Sequence, residues 1–226
     1  RGICAANEEA ILSLYPEHRC MDAPIDDGYI KYTSTRRDGR VPPSAALDEL
    51  NRARTTLFDL GLIGAYDNGV GYGNLSIRAN DDNQFVITAS ATGAQRLLQM
   101  EQFCLVESFS IQNNHVQSMG PLPASSESMT HGAIYAAHSD VYCVIHVHSR
   151  ILFDHLLLTG APATPADVPY GTPAMARTVA QLVTRQPDLP TVFAMAGHDE
   201  GVVAYGGDTA STLDALRALL QRISTP

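Results

Sequence analysis

Three histidines carry the strongest chemical signal in the sequence. His146 and His148 lie two residues apart in an apolar run, so the alternation of a β-strand sends both side chains to one face, about 7 Å apart along the chain. For a pair alone, the simpler interpretation is two histidines that decorate a strand. His198 follows another short apolar run and stands beside Gly197, where the backbone can turn tightly. Three imidazoles from strand ends favour an open metal site with room for water or substrate.

A carboxylate and several small polar residues mark three further positions. Glu127 stands at a predicted helix start beside Ser125 and Ser126. By itself this placement is explained by the helix dipole, which favours a carboxylate there by tenths of a kcal/mol. The same helix start offers free amides and two hydroxyls, which suit a substrate phosphate. Similar groups are predicted at two strand ends, Gly73-Asn74 and Thr92-Gly93, although turn chemistry alone would also explain all three.

The elements that must position these residues alternate between helices and strands. Ser44 is a helix cap, and apolar residues follow it at helical spacing up to Gly61. Three more helices are predicted, from Ser125 or Ser126 to about His138, at Pro173–Arg185 and at 210–223. Strands are predicted at 29–35, 84–88, 103–109, 141–148, 192–196 and 201–205, and residues 160–171 form a loop. The helix after Glu127 carries His131 and His138, which we interpret as surface or packing residues.

The chain is organised as one α/β domain behind an irregular start. Residues 1–43 contain four prolines and little periodicity, so they are interpreted as an N-terminal extension. Residues 44–226 show no repeat, low-complexity tract or linker, which predicts a single domain.

Composition limits the possible partners. The 226 residues include 15 basic and 24 acidic side chains, a net charge of −9, so neither a nucleic-acid backbone nor an anionic membrane is an expected partner. No apolar stretch approaches a membrane span, and the start lacks the apolar core of a signal peptide, so a cytoplasmic protein is expected. The scattered cysteines form no CxxC pair and are predicted to be reduced thiols: Cys4, Cys20, Cys104 and Cys143.

Together these motifs resemble the class II aldolase/adducin family. The ordered set that carries the resemblance is Gly73, Asn74 and Ser76; Thr92 and Gly93; Ser125, Ser126 and Glu127; His146 and His148; and His198. It spans roughly residues 44–220, and the 19-residue interval from Glu127 to His146 is that of the family's aldolases. The resemblance implies a three-layer α/β/α domain with a central, mainly antiparallel sheet. It also implies a homotetramer with active sites between subunits.

The resemblance also implies roles for individual residues. The three histidines, His146, His148 and His198, would bind Zn²⁺ or another divalent metal such as Mn²⁺ or Co²⁺. Glu127 would be the acid/base and, without substrate, a fourth ligand. The phosphate of a sugar-phosphate substrate would be held by Asn74, Thr92, Gly93, Ser125 and Ser126.

The family contains several reactions, and two features of this chain point in different directions. Glu127 matches the aldolases and a dehydratase, whereas the 4-epimerase of ribulose phosphate has Asp there. The loop that contains Asp167 and Tyr170 is similar to the epimerase loop with a proposed catalytic aspartate, and in the aldolases a tyrosine from the neighbouring subunit acts in this region. Either residue is therefore a candidate second acid/base, and a plain loop anchor is equally compatible.

The leading hypothesis is a metal-dependent aldolase that cleaves a ketose phosphate through a metal-stabilised enediolate. Epimerisation or dehydration of a pentulose phosphate is the alternative within the family. A non-catalytic scaffold of the adducin type is disfavoured because such members have lost metal ligands and this chain keeps them. An iron oxygenase is a further possibility, since histidines plus a carboxylate also suit non-haem iron.

Overall fold

An eight-stranded sheet runs through the centre of the computed structural model, which describes residues 29–80 and 82–224. From one edge to the other its strands follow the order β1-β7-β6-β5-β4-β8-β10-β9, and every neighbouring pair is antiparallel except β1 and β7. A separate two-stranded hairpin is formed by β2 and β3. The strands are β1 (Thr33–Arg37), β2 (Gly64–Ala65), β3 (Gly71–Tyr72), β4 (Asn74–Arg78), β5 (Phe85–Thr88), β6 (Phe103–Ser110), β7 (His115–Met119), β8 (Cys143–His148), β9 (Thr191–Ala194) and β10 (Gly201–Gly206).

Helices cover both faces of this sheet. They are α1 (Ala45–Asp59), α2 (Ser128–Ala137), α3 (Arg150–Leu158), α4 (Pro173–Arg185) and α5 (Thr209–Ser224). One hydrophobic cluster contains residues of α2 and α4, and the other contains residues of α1, α3 and α5. The expected three-layer α/β/α arrangement with a mainly antiparallel sheet is confirmed.

Strand β8 shows how the sheet divides these two clusters. Val144 packs in the cluster with α2 and α4, whereas Ile145 and Val147 pack in the other. Because strand residues alternate between faces, His146 and His148 share the face of Val144, under α2 and α4. All six residues of β8 are buried, since β4 and β10 flank it and helices cover it on both sides.

The helix starts follow the capping residues in the sequence. The hydroxyl of Ser44 accepts from the amide of Leu47 at 3.2 Å at the start of α1, as predicted. The hydroxyl of Thr172 caps α4, whose first residue is Pro173. The predicted cap of α2 is wrong, because Glu127 occupies the cap position and no side chain caps the helix. Ser125 instead accepts a hydrogen bond from the amide of Glu127 at 3.3 Å.

Helix α3, strands β4 and β7 and the β2–β3 hairpin were not predicted. Helix α3 is only nine residues long, and its buried residues are Leu152, Phe153 and Leu156. Strand β4 lies in the glycine-rich segment at 68–78, where glycines signal turns. Strand β7 has five residues, three of them polar, and the hairpin consists of two-residue strands. Short elements of this kind give little local signal.

The chain start is joined to the same sheet over the described residues. The predicted strand at 29–35 is observed as β1, which begins four residues later and pairs in parallel with β7. The hydroxyl of Tyr32 donates to the carbonyls of Ala124 and Ser125, at 3.0 and 2.9 Å. Residues 29–43 therefore help to hold the turn before Glu127. Residues 1–28, with Cys4 and Cys20, lie outside the described residues.

Of the helices in the described part of the chain, none combines the length and apolar character needed to cross a membrane.

Candidate active site

Strands β8 and β10 bring three histidines to one point under α2. The Nε2 atoms of His146 and His148 lie 3.1 Å apart, and the three histidines offer ring nitrogens that are all within 4.8 Å of one another. His198 lies in the tight turn between β9 and β10. Its amide donates to the carbonyl of Met195 at 2.7 Å, and its carbonyl accepts from Gly201 at 2.8 Å.

The turn that holds His198 depends on a glycine. A Cβ atom at Gly197 would lie 1.8 Å from the carbonyl oxygen of Val168, so no other residue fits without moving the loop before α4. This close approach places the loop at 160–171 directly against the turn. The expected positioning role of Gly197 thus has a steric cause.

Hydrogen bonds on the far side of each ring orient the two histidines of β8. Nδ1 of His146 lies 3.2 Å from the carbonyl oxygen of Val202, and Nδ1 of His148 lies 2.8 Å from the hydroxyl of Tyr66. A carbonyl can only accept, so the proton of His146 is on Nδ1 and the lone pair of Nε2 points to the shared space. Such outer partners are usual behind metal-binding histidines.

The chemistry of this donor set fits a divalent metal. The three histidines are at most 5% exposed. Burial, together with the neighbouring imidazoles of His148 and His198, holds the pKa of His146 well below its usual value, so the ring is neutral. Neutral imidazole is the metal-binding form. Small rotations bring ring nitrogens at this separation to about 2.0–2.1 Å from one ion, the distance typical of zinc.

Glu127 lies beside the histidines. Its side chain is 3% exposed, and its Oε1 lies 3.9 Å from Nδ1 of His198. The carboxylate therefore stands close enough to the histidine cluster to move a proton there or to join the ligand set. Its position at the start of α2 comes from the turn that Tyr32 and Ser125 hold.

A cavity of about 260 Å³ opens in front of these groups. It is lined by Glu127 and His146 together with all five residues predicted to hold a phosphate, Asn74, Thr92, Gly93, Ser125 and Ser126. Asn74 pairs with His146 across β4 and β8, and its buried Oδ1 has no hydrogen-bond partner within residues 29–80 and 82–224. The structure thus brings the predicted acid and the predicted phosphate-binding residues into one cavity, next to the histidines.

Comparison with known proteins agrees with this geometry. A sequence profile of the Class II Aldolase and Adducin N-terminal domain matches residues 65–222. The chain belongs to this family. Class II aldolases use a divalent metal, and family members bind sugar phosphates and are commonly oligomeric. A search of curated protein sequences gave no match.

Solved structures similar to this class II aldolase family member show the same fold. L-fuculose-1-phosphate aldolase from Thermus thermophilus is 22% identical, with a TM-score of 0.56, and the match covers 78% of this chain and 89% of that one. YgbL from Klebsiella pneumoniae is 21% identical, with 79% and 86% covered and a TM-score of 0.58. A sugar-phosphate aldolase from Thermotoga maritima is 18% identical, with 79% and 91% covered and a TM-score of 0.58.

The two remaining predicted residues of this family member lie in different surroundings. Tyr170 is 5% exposed, and its ring stacks on that of His198 with centroids 4.2 Å apart. The ammonium of Lys31 lies 3.7 Å from the Tyr170 ring centroid. Asp167 is exposed in the same loop and does not line the cavity. One chain therefore brings Tyr170, but not Asp167, to the histidines.

Two tyrosines at the site were not found from the sequence, whereas His131 packs, which is one of the two roles predicted for it. Tyr66 and Tyr72, from the β2–β3 hairpin, stand beside His148, with Tyr72 and His148 ring centroids 5.6 Å apart. His131, one turn after Glu127, is fully buried, and its Nδ1 lies 2.7 Å from the hydroxyl of Ser76. Burial lowers the pKa of His131 to about 3, so it packs as a neutral ring. The only sequence signal for the tyrosines was their place around the glycine-rich segment.

Proposed function

We propose that this protein is a metal-dependent aldolase that cleaves a ketose phosphate by a retro-aldol step, with dihydroxyacetone phosphate or a similar fragment and an aldehyde as products. One observation carries the proposal. Three buried histidines and a buried carboxylate meet beside a cavity whose other lining residues are uncharged. The first set suits a Lewis-acid metal with a proton carrier, and the second suits an anionic group.

The metal site would be formed by His146, His148 and His198. Zn²⁺, Mn²⁺ or Co²⁺ held there would supply Lewis-acid stabilisation of the negative charge that develops on the substrate oxygens. The chain's contribution is to orient two of these rings, His146 through the carbonyl of Val202 and His148 through the hydroxyl of Tyr66.

Glu127 is the proposed acid/base of the reaction. Its carboxylate is buried beside His198 and lines the cavity, so it reaches both the metal centre and a substrate bound in front of it. General acid/base catalysis by one such group contributes typically 10² to 10⁴-fold in rate. Before substrate binds, the same carboxylate is the proposed fourth ligand.

The phosphate of the substrate would bind to uncharged polar groups of the cavity. The residues that offer them are Thr92, Ser125, Ser126, Asn74 and Gly93, which all line it. Binding there fixes the orientation of the reacting carbons, so a substrate without phosphate should lose rate as well as affinity.

Tyr170 is the proposed second proton carrier. Its ring is held against His198. The exposed position of Asp167 means that a catalytic role for it requires the cavity of a neighbouring subunit. Such a role belongs with the proposed homotetramer, in which active sites lie between subunits.

Epimerisation or dehydration of a sugar phosphate is the second candidate reaction. The observation that favours it is the presence of two proton carriers, Glu127 and Tyr170, around the same three histidines. The candidate reactions share the proposed enediolate chemistry and differ in the products that form from it.

Product analysis separates these reactions. The protein is loaded with Zn²⁺, Mn²⁺ or Co²⁺, incubated with a panel of ketose 1-phosphates and pentulose 5-phosphates, and followed by ¹H and ³¹P NMR. Two fragments indicate aldol cleavage, an isomer indicates epimerisation, and loss of water indicates dehydration. The double variant His146→Ala, His148→Ala is the control and should be inactive. If no phosphorylated ketose reacts, the proposed function is wrong.

A further inference from the structure

The cavity proposed to hold a phosphate has no cationic side chain in its described lining. A phosphate monoester carries close to two negative charges at neutral pH, and the buried carboxylate of Glu127 shares the same space. Apart from the proposed metal at the histidines, only backbone amides and hydroxyls of the lining would offset that charge. A cation behind the lining would resolve this imbalance.

Arg54 is such a cation. It lies on α1, is 1% exposed, and reaches under the turn that follows β5. Nη2 donates to the carbonyls of Thr92 at 2.8 Å and Gly93 at 3.3 Å. Nη1 donates to the carbonyl of Arg96 at 3.2 Å and to that of Gln95.

These bonds fix the direction of the amides in the turn. The C=O and N–H groups of a trans peptide point in opposite directions. The carbonyl of Thr92 faces Arg54, so the N–H of Gly93, in the same peptide group, faces away from Arg54. The carbonyl of Gly93 also faces Arg54, so the N–H of Ala94 faces away from it as well. Neither amide donates to a backbone carbonyl within the described residues. Gly93 itself lines the cavity.

Within the part of the chain that the structure describes, no carboxylate balances the charge of Arg54. No ion pair of Arg54 is present in residues 29–80 and 82–224, and its acceptors there are carbonyl oxygens. Burial lowers the pKa of Arg54 to about 10, which still leaves the guanidinium protonated at neutral pH. A buried and unpaired charge is costly unless a counter-charge lies nearby. An anion bound in the cavity would be that counter-charge, because the peptide groups of Thr92 and Gly93 lie between the cavity and the guanidinium.

We propose that Arg54 is a positioning residue for the anion: it turns the amides of Gly93 and Ala94 toward the cavity and provides the positive charge that holds a phosphate dianion there. This inference rests on the proposed function, because it assumes that the cavity binds a phosphate. The recognised chemistry is a phosphate monoester or inorganic phosphate, bound by backbone amides over a buried guanidinium.

The test compares Arg54→Gln and Arg54→Lys with a control variant at an uncharged residue of α1 that also binds the segment after β5. Asn51 lies one helical turn before Arg54, and its side chain donates to the carbonyl of Leu98 at 2.8 Å and accepts from the amide of Leu98 at 3.2 Å. Asn51→Ala therefore loosens the turn without removing charge. Binding of inorganic phosphate to the zinc-loaded protein is measured by calorimetry at low and high salt, with the melting temperature of each variant.

The inference predicts a specific pattern. Arg54→Gln weakens phosphate binding about tenfold or more, as expected for the loss of a buried charge. Arg54→Lys recovers part of the affinity, and Asn51→Ala stays within about twofold of the wild type even if its melting temperature falls equally. With a phosphorylated substrate, KM rises more than kcat falls. If Arg54→Gln does not fold, the test rests on Arg54→Lys. That variant is expected to bind phosphate about threefold more weakly than the wild type, because lysine keeps the charge but not the forked geometry of the guanidinium.

The two possible failures are distinguishable. If the wild-type protein binds phosphate and Arg54→Gln binds it equally well, the inference is wrong and the proposed function stands. Equal losses in Arg54→Gln and Asn51→Ala would also overturn it, because loosening of the turn alone would then explain the result. If the wild-type protein binds no phosphate at millimolar concentration, the phosphate site of the proposed function fails, and the inference falls with it.

Discussion

Tyr66→Phe should weaken metal binding without damaging the fold. The hydroxyl of Tyr66 lies 2.8 Å from Nδ1 of His148, whose Nε2 faces His146. When Nε2 binds a metal, the proton of His148 is on Nδ1 and donates to the Tyr66 oxygen. Phenylalanine keeps the ring, which packs on Tyr72 with centroids 4.7 Å apart, and removes only this oxygen.

The size of the effect follows from burial. His148 is 4% exposed, so water has little access to the abandoned N–H. An unsatisfied buried donor costs about 1–3 kcal/mol, which corresponds to a factor of about 5 to 150 in an equilibrium constant. Independently, loss of a hydrogen-bond partner of a metal-binding residue typically lowers metal affinity about 10 to 100-fold. We therefore expect the dissociation constant for zinc to rise about 10 to 100-fold.

The assay is competition for zinc between the metal-free protein and a chromogenic chelator. Tyr72→Phe is the matched control. Among the described residues, the Tyr72 hydroxyl has only a 3.4 Å contact with the carbonyl of Gly61, while its ring also lies beside His148. That control should change the dissociation constant less than about twofold. Equal zinc affinity in Tyr66→Phe and wild type would refute the role of Tyr66. An equal loss of affinity in Tyr66→Phe and Tyr72→Phe would mean that disturbance of the β2–β3 hairpin explains the effect.

Three further predictions test other parts of the structure. Glu127→Gln should lower turnover about 10² to 10⁴-fold while zinc remains bound, and unchanged turnover would remove Glu127 from the acid/base role. Burial raises the pKa of Cys104 to about 11 and that of Cys143 to about 12, so the reactive thiolates are nearly absent at pH 8. In a variant with serine at positions 4 and 20, a thiol reagent should therefore label almost nothing until denaturant is added, and prompt labelling of the native protein would contradict this burial. Ser44→Ala should lower the free energy of unfolding by about 1 kcal/mol in denaturant titration, and no change would mean that the cap of α1 contributes nothing.

The sequence contained enough to predict six of the eight strands of the central sheet and most of the residues that gather at the candidate site. His146 and His148 fall on one face because the period of a strand is two, and β8 has that geometry. Helices α1 and α4 were predicted within two residues of their observed ends, because caps and apolar spacing are local signals.

Features that depend on distant partners were not predictable in this way. Arg54 falls in the apolar stripe of α1, but its burial depends on carbonyls 38 to 42 residues further along the chain. Likewise, β1 needs the edge of β7, and Tyr66 meets His148 across 82 residues. The periodicity of apolar residues along a segment does not indicate which distant residues it will contact. The glycines and prolines near these segments indicate only turns.

The central claim is that His146, His148 and His198 hold a catalytic divalent metal. Its most direct test is the metal content of protein purified without chelator or affinity nickel, measured by plasma mass spectrometry beside the variant His146→Ala, His148→Ala. We predict about one zinc, manganese or cobalt ion per chain in the wild type and almost none in the variant. The absence of bound metal in the wild type even after incubation with zinc, or the same content in both proteins, would contradict the claim.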